Sequence, residues 1–377
     1  MSTFYLYIIL LFLIFLIEDL KRKGYSDKFG NRLIFIMVLL FSALRYDITR
    51  DYFNYVKLFT EIRLADSEVS ELGYYYLNHL FSFSKYGFIF VFAFCSFVCV
   101  YSFHKTFVRL GMVDWGWFFS ITLLVVLMMN NQIRQAVSMS IFTLALPYIE
   151  KRKFLKFSIL MIVAMLFHFS AVICFPFYFA FQFFKKINPS KGLWLLLLLT
   201  TYFVYLSGVL YDFGIEVFKL FPQYIHYVDR EFFSSRDEIK SGLGILLMLF
   251  LAIITILLKD KSSKRFIPYF NMAILYFLFF IIFSDLRVLQ RVSRYLYIFV
   301  VVSFSHIMLS SKIIDYYKYI LFTAALLWFG RYGYLSDRPY RTVFSDYCRK
   351  GVFFDREDGT KKGERELKKY INYDFVE

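Results

Sequence analysis

Long apolar runs separated by short polar segments are the dominant pattern along this chain. A helix needs roughly 17–25 apolar residues to cross a hydrocarbon core of about 30 Å, and runs such as 86–103, 192–210 and 242–258 contain no charged residue. The pattern therefore predicts an all-α, polytopic membrane protein with about 12 transmembrane helices. The predicted spans are residues 3–17, 33–44, 86–103, 115–130, 135–149, 154–167, 169–184, 192–210, 242–258, 266–283, 295–311 and 316–335.

The composition agrees with this pattern. Of the 377 residues, 59% are hydrophobic and only 19% are charged, whereas a soluble domain carries roughly 25% charged residues. The first apolar run lacks the basic start and small-residue cleavage site of a signal peptide, so it is expected to be a retained span.

The charged residues differ between alternate connections. The loops 18–32, 104–114, 150–156, 185–191, 259–265 and 312–318 together hold 20 Lys/Arg and 7 Asp/Glu. The other connections before the tail hold 13 of each. Because basic loops stay in the cytoplasm, this bias predicts that the N-terminus and the C-terminal tail both lie outside.

The sequence predicts a single transmembrane domain over residues 1–335 and a polar tail over 336–377. Two large outer loops, 45–85 and 211–241, mix Tyr and Phe with charges, which is typical of helices lying at a membrane interface. The run 154–184 has basic residues at both ends, so a hairpin turning at His168 is expected, with His168 facing outward.

Several classes of function are not supported. The basic residues form no contiguous stripe and no zinc-finger, RRM or KH signature, so no nucleic-acid partner is predicted. The four cysteines show neither CxxC nor Cys/His spacing. The chain has no DxD motif for a metal-bound nucleotide sugar, and no ionisable residue lies deep in a span as an ion-coupled transporter would require.

Polar clusters with possible chemistry lie in the outer segments. Arg45 and Asp51 follow the second span, where they could bind a phosphate and supply a carboxylate base; the alternative is a solvated loop anchored by interfacial aromatic rings. Arg134 and Gln135 begin the fifth span, and an interfacial anchor is the alternative there. His168 is either a catalytic imidazole or a structural hydrogen-bonding residue.

A further cluster follows the tenth span. Arg287, Arg291 and Arg294 are spaced to lie on one face of a helix. Three guanidinium groups on one face indicate an anionic partner, with lipid headgroups as the general alternative. Glu71 adds a carboxylate to the first outer loop, and Tyr340 lies just beyond the last span.

Several of these elements, in this order, resemble the EpsG family of Wzy-type bacterial polysaccharide polymerases. The resemblance covers roughly residues 30–345. Where family members often have Gly-x-Asp, this chain has Thr49-Arg50-Asp51. The matching elements are Arg45…Asp51-Tyr52…Tyr55, Glu71-Leu72-Gly73-Tyr74, Ile133-Arg134-Gln135-Ala136, Lys151-Arg152-Lys153, Phe167-His168-Phe169-Ser170-Ala171 and Arg291…Tyr295.

The resemblance implies a GT-C-like integral membrane glycosyltransferase at the outer face of the bacterial cytoplasmic membrane. It would transfer an oligosaccharide from undecaprenyl diphosphate to another lipid-linked repeat unit, making O-antigen, capsule or exopolysaccharide. The lipid diphosphate is the leaving group, so no ATP, metal or other cofactor is expected. Membrane lipid is an expected partner, and a chain-length regulator is a further one. A lipid-linked oligosaccharide flippase and a membrane O-acyltransferase are the alternatives.

The resemblance also suggests roles for individual residues. Diphosphate binding is assigned to guanidinium groups, with Asp51 as the preferred base and His168 and Glu71 as alternatives. All of these groups are expected to line one outward-facing cavity that opens toward lipid. The predicted diphosphate-binding residues are Arg45, Arg134, Arg291 and Arg294. The predicted substrate-facing residues are Tyr52, Tyr55, Gln135, Ser170, Tyr295 and Tyr340.

Overall fold

The computed structural model describes residues 2–49, 51–64, 71–213, 242–335 and 339–345. The chain divides into two compact units. Unit 1 consists of residues 1–146, 155–172 and 329–377, and unit 2 consists of residues 147–154 and 173–328. Most of the predicted outer loop 211–241 and of the predicted tail 336–377 lies outside the described residues.

The described residues form helices and one two-stranded sheet, which agrees with the predicted all-α class. The first ten helices are α1 (Thr3–Arg22), α2 (Asp27–Ala43), α3 (Tyr52–Arg63), α4 (Leu72–Leu80), α5 (Gly87–Leu110), α6 (Val113–Thr122), α7 (Val125–Asn131), α8 (Ile133–Glu150), α9 (Phe154–Phe167) and α10 (Cys174–Lys186). The others are α11 (Lys191–Ser207), α12 (Leu243–Leu258), α13 (Ile267–Ile282), α14 (Arg287–Ser293), α15 (Tyr297–Leu309) and α16 (Asp315–Leu335). The strands are β1 (Arg45–Tyr46) and β2 (Arg341–Thr342).

Local sequence sets several of these helix ends. Ser2 and Ser190 precede α1 and α11, and their hydroxyls accept hydrogen bonds from the backbone N–H groups of Tyr5 and Leu193, as N-cap serines do. Gly111 ends α5 with φ +69°, a left-handed conformation that glycine adopts without steric cost.

Four helical segments of the described chain are long and apolar enough to cross a bilayer unaided: Thr3–Arg22, Gly87–Leu110, Leu243–Lys261 and Leu289–Leu309. The predicted span 115–130 is interrupted, because α6 and α7 are bent by 64° at a short break. Leu124 occupies that break with φ +62°. Each of the other predicted spans overlaps with a helix, although these helices differ in length. The number of spans, twelve, stays a prediction.

Residues on one predicted side of the membrane contact one another in unit 1. Strand β1 pairs antiparallel with β2, and a backbone bridge joins Ser2 to Pro339. The backbone N–H of Val343 donates to the carbonyl of Leu44. The N-terminus, the end of α2 and the segment after α16 therefore lie together, as the predicted topology requires.

Loops predicted for the opposite side also meet within each unit. In unit 1, the Lys21 ammonium lies 2.5 Å from the Asp114 carboxylate. In unit 2, the buried Lys259 ammonium donates to the Asn188 side chain at 2.8 Å and to the Pro189 carbonyl at 2.7 Å. These contacts support the predicted alternation of the loops.

The predicted reversal of the chain near His168 is confirmed. Helix α9 ends at Phe167, a 3₁₀ turn follows over Phe169–Ile173, and α10 begins at Cys174. The residues that flank the run 154–184 also contact each other, since the Lys185 ammonium donates to the Glu150 carbonyl at 2.7 Å.

Candidate functional site

The Glu71 carboxylate is the centre of a polar cluster in unit 1. One carboxylate oxygen, Oε2, accepts a hydrogen bond from Arg134 Nη1. The other oxygen, Oε1, lies 3.1 Å from Nδ1 of His168. Arg134 and His168 follow Glu71 by 63 and 97 residues along the chain. We call these three residues the Glu71 cluster.

Helix and turn boundaries position the three side chains. Glu71 immediately precedes α4, and Arg134 lies in the first turn of α8. His168 follows the last residue of α9, and its backbone N–H still donates to the Ala164 carbonyl at 3.0 Å. Glu71 is buried, with 8% of its surface exposed, whereas the side chains of Arg134 and His168 are 31% and 22% exposed.

The environment of Glu71 favours its ionised form. Burial by itself raises the pKa of this carboxyl, but the hydrogen bond with His168 and the positive charge of Arg134 outweigh that effect. The pKa of Glu71 therefore lies below its usual value, since partners that interact with the charged form stabilise it. At neutral pH the cluster holds a carboxylate paired with a guanidinium.

Two tyrosine rings flank the Arg134 guanidinium. Its central carbon lies 6.0 Å from the ring centroid of Tyr55 and 5.9 Å from that of Tyr74. Aromatic faces at this distance attract a cation. Arg134 remains 31% exposed, and its Nε has no hydrogen-bond partner among the described residues. Because that Nε is itself buried, the capacity for another anionic group lies in the exposed part of the side chain.

Asp51, the preferred base from the sequence, contacts a different residue. Its backbone N–H donates to the Asn131 side-chain oxygen at 3.1 Å. The Asn131 amide in turn donates to Asp51 Oδ2 at 3.0 Å. This reciprocal pair joins the start of α3 to the end of α7.

Arg45 is deeply buried, with 1% of its surface exposed. Its Nη1 donates to the Ser42 carbonyl and, at 2.7 Å, to the Ser96 hydroxyl. Its Nη2 lies 3.4 Å from the Asn130 carbonyl, and the Phe92 ring centroid is 5.6 Å from the guanidinium carbon. None of these partners is charged. The adjoining cavity is about 10 Å³, room for roughly one water molecule.

The structure also places the predicted substrate-facing residues of unit 1. Tyr52 is fully buried and its hydroxyl lies 3.4 Å from the Arg45 carbonyl. Tyr340 stacks on Phe41 at 5.2 Å between ring centroids, and its hydroxyl donates to the Phe41 carbonyl at 2.8 Å. Gln135 is buried in the first turn of α8, and Ser170 lies half-buried in the turn after His168.

The remaining predicted residues belong to unit 2. Arg291 lies in α14, and Arg294 and Tyr295 form the 3₁₀ turn that follows it. Tyr295 is buried, whereas Arg291 and Arg294 are half-buried. That these groups share a cavity with the Glu71 cluster stays a prediction.

Sequence reasoning missed some members of this region. Asn131 is not among the predicted site residues, although it holds Asp51 in place. Ser96 gave no signal, because a lone serine in an apolar run is common. Among the described residues, no three His, Cys, Asp or Glu side chains are close enough to hold a metal ion together.

Comparison with known proteins identifies the family. The family model described as the EpsG family matches residues 31–338, which is most of the chain. Searches of the curated proteins and of the solved structures found no match. The matched range includes every residue of the Glu71 cluster, together with Arg45, Asp51 and Arg291. The chain belongs to the EpsG family, whose members are Wzy-like polysaccharide polymerases.

Proposed function

We propose that this protein is a Wzy-type polymerase that transfers an oligosaccharide from undecaprenyl diphosphate to a second lipid-linked repeat unit. We place the reaction at the outer face of the bacterial cytoplasmic membrane, within a GT-C-like architecture. The observation that carries the proposal is the Glu71 cluster, in which a half-exposed guanidinium lies beside a carboxylate and an imidazole.

Arg134 is the proposed diphosphate-binding residue. A guanidinium matches the oxygens of a phosphate bidentately and stays charged at any working pH. Negative charge grows on the diphosphate as the glycosidic bond breaks, and a fixed cation stabilises that charge. The Arg134 side chain is 31% exposed, so a phosphate oxygen can approach it. Guanidinium groups can fill this role in place of a metal ion.

Arg291 and Arg294 are proposed as a second set of phosphate ligands. They lie in successive turns of the helical segment 287–296, and a diphosphate offers more oxygens than one guanidinium can satisfy.

A chain-length regulator remains a proposed partner protein.

The proposed outer location rests on two observations. The basic loops predict which side faces the cytoplasm. The segments that carry Glu71, Arg134 and His168 belong to the opposite set of connections. Contacts of β1 with β2 and of Ser2 with Pro339 join segments from that same set.

Purified protein in liposomes containing a lipid-linked repeat unit tests this function. A polymerase converts the substrate into a ladder of lengthened glycans on the same lipid, and chelation of divalent metals should leave the ladder unchanged. Movement of unchanged substrate across the bilayer, without any ladder, would instead identify a flippase. Transfer of an acyl group to the glycan, with no increase in length, would identify an acyltransferase.

A further inference from the structure

We propose that Glu71 is a positioning residue that fixes the tautomer of His168, and that Nε2 of His168 is the general base of the transfer. This inference rests on the polymerase function proposed above and replaces Asp51 as the base. It depends on the short distance between Glu71 Oε1 and His168 Nδ1, 3.1 Å, and on the packing that brings α4 against α9.

An ionised carboxylate can only accept hydrogen bonds. Nδ1 of His168 must therefore carry the proton in its contact with Glu71. In a neutral imidazole the other nitrogen then has a free lone pair. Nε2 of His168 is consequently the atom that can receive a proton, and His168 is 22% exposed, so a substrate hydroxyl can approach it.

With His168 as the base, every proton and electron pair of the transfer is accounted for. The acceptor hydroxyl gives its proton to Nε2 of His168 while its oxygen attacks the anomeric carbon of the donor. The bond from that carbon to the diphosphate oxygen breaks, and its electron pair leaves with the lipid diphosphate. Glu71 stabilises the imidazolium that forms, and Arg134 stabilises the leaving group. Bulk water later takes the proton from His168.

The other carboxylates fit the base role less well. Both oxygens of Glu71 are occupied, one by Arg134 and the other by His168. Oδ2 of Asp51 accepts from the Asn131 amide, and the Asp51 backbone is held by the same side chain. A carboxylate that already accepts strong hydrogen bonds binds a proton less readily.

Gly73 permits the contact between Glu71 and His168. A Cβ atom at position 73 would lie 2.9 Å from the Leu166 Cβ and 3.0 Å from the Leu166 carbonyl oxygen. The latter atom belongs to the backbone of α9, so it cannot rotate away. Only glycine lets the first turn of α4 approach the last turn of α9 this closely. Glu71, which lies two residues before Gly73, can therefore contact His168.

The test compares Glu71→Ala, Glu71→Gln and Gly73→Ala with the matched control Gly330→Ala. A Cβ at Gly330 meets no atom within 4 Å, so that variant adds the same methyl group without a clash. For each protein, kcat and KM for the lipid-linked donor are measured in liposomes, together with the thermal midpoint. Side-chain ¹⁵N NMR of labelled histidine, assigned with His168→Gln, reports which His168 nitrogen carries the proton.

We expect kcat to fall about 100-fold in Glu71→Ala and Gly73→Ala, the lower end of what a positioned general base contributes, with KM within about threefold of the wild type. Glu71→Gln should retain more activity than Glu71→Ala, because its amide oxygen still accepts from Nδ1. Wild type and Gly330→Ala should show the proton on Nδ1, whereas Glu71→Ala and Gly73→Ala should lose that preference. If Gly73→Ala fails to fold, Glu71→Ala decides.

An active wild type with unchanged kcat in folded Glu71→Ala would overturn this inference and leave the polymerase function standing. A proton on Nε2 in the wild type would also overturn it. A wild type that makes no ladder would instead contradict the proposed function itself.

Discussion

Two arginines at the ends of apolar segments have very different surroundings. Arg134 is 31% exposed and pairs with the Glu71 carboxylate. Arg45 is 1% exposed and donates to the Ser42 carbonyl and the Ser96 hydroxyl. The family resemblance suggests diphosphate binding for both, yet of these two only Arg134 combines accessibility with a neighbouring base.

The difference shows that position at a membrane surface does not determine the role of an arginine. A buried guanidinium that joins α2, α5 and α7 through neutral acceptors holds a fold together. A half-exposed guanidinium in a carboxylate pair can exchange that partner for a phosphate. We therefore expect substitution of Arg45 to act mainly on stability and substitution of Arg134 mainly on activity.

The largest expected effect is on polymer formation by Arg134→Ala. Loss of one charge-stabilising group costs about 100–1000-fold in rate, so cells should contain normal amounts of protein but no long polymer. Polymer length on gels and protein level on immunoblots measure this. Arg63→Ala, at the end of the outer-loop helix α3, serves as the control and should retain normal polymer length. Long polymer made by Arg134→Ala would contradict the proposed difference in role between Arg134 and Arg45.

Arg45→Ala should mainly reduce stability. Truncation of a long, fully buried side chain leaves a cavity and typically costs about 2 kcal/mol or more. We expect a lower thermal midpoint in detergent and a lower protein level, with the activity of the remaining folded protein within a few fold of normal. A variant that folds like the wild type but makes no polymer would place Arg45 in the chemistry.

The pH dependence of stability should reveal the Glu71 ion pair. The pKa of Glu71 is lowered in the folded protein, so its contribution is complete above the ordinary carboxyl value of about 4.3. That contribution is lost as the pH falls below this value, through the lowered pKa. The difference in thermal midpoint between wild type and Glu71→Gln should therefore persist from pH 7 to 5 and shrink below about 4. A difference already gone at pH 6 would contradict this.

The smallest expected effect is that of Tyr340→Phe, which keeps the ring stacked on Phe41 but removes the hydrogen bond to the Phe41 carbonyl. The loss should be about 1 kcal/mol of stability, with normal polymer length. Tyr25→Phe, at a position 64% exposed, should change neither property. A large loss of activity without a change in stability would restore the predicted substrate role of Tyr340.

The sequence predicted the helical runs because their apolar residues have no other stable environment than a membrane or a core. It also indicated Arg134 and His168, because polar residues at the ends of apolar runs stand out. The break at Leu124 was not predictable, since neither Gly nor Pro marks it. The pairing of Glu71 with Arg134 depends on how α4 packs in three dimensions, which no local pattern encodes.

The most direct test of this account is the affinity of the purified protein for undecaprenyl diphosphate, measured by native mass spectrometry for wild type, Arg134→Gln and Arg45→Lys. We predict that Arg134→Gln weakens binding about tenfold or more, because a charge-assisted phosphate contact is lost, while Arg45→Lys binds like the wild type. Equal affinity of wild type and Arg134→Gln would contradict the central claim that Arg134 binds the diphosphate.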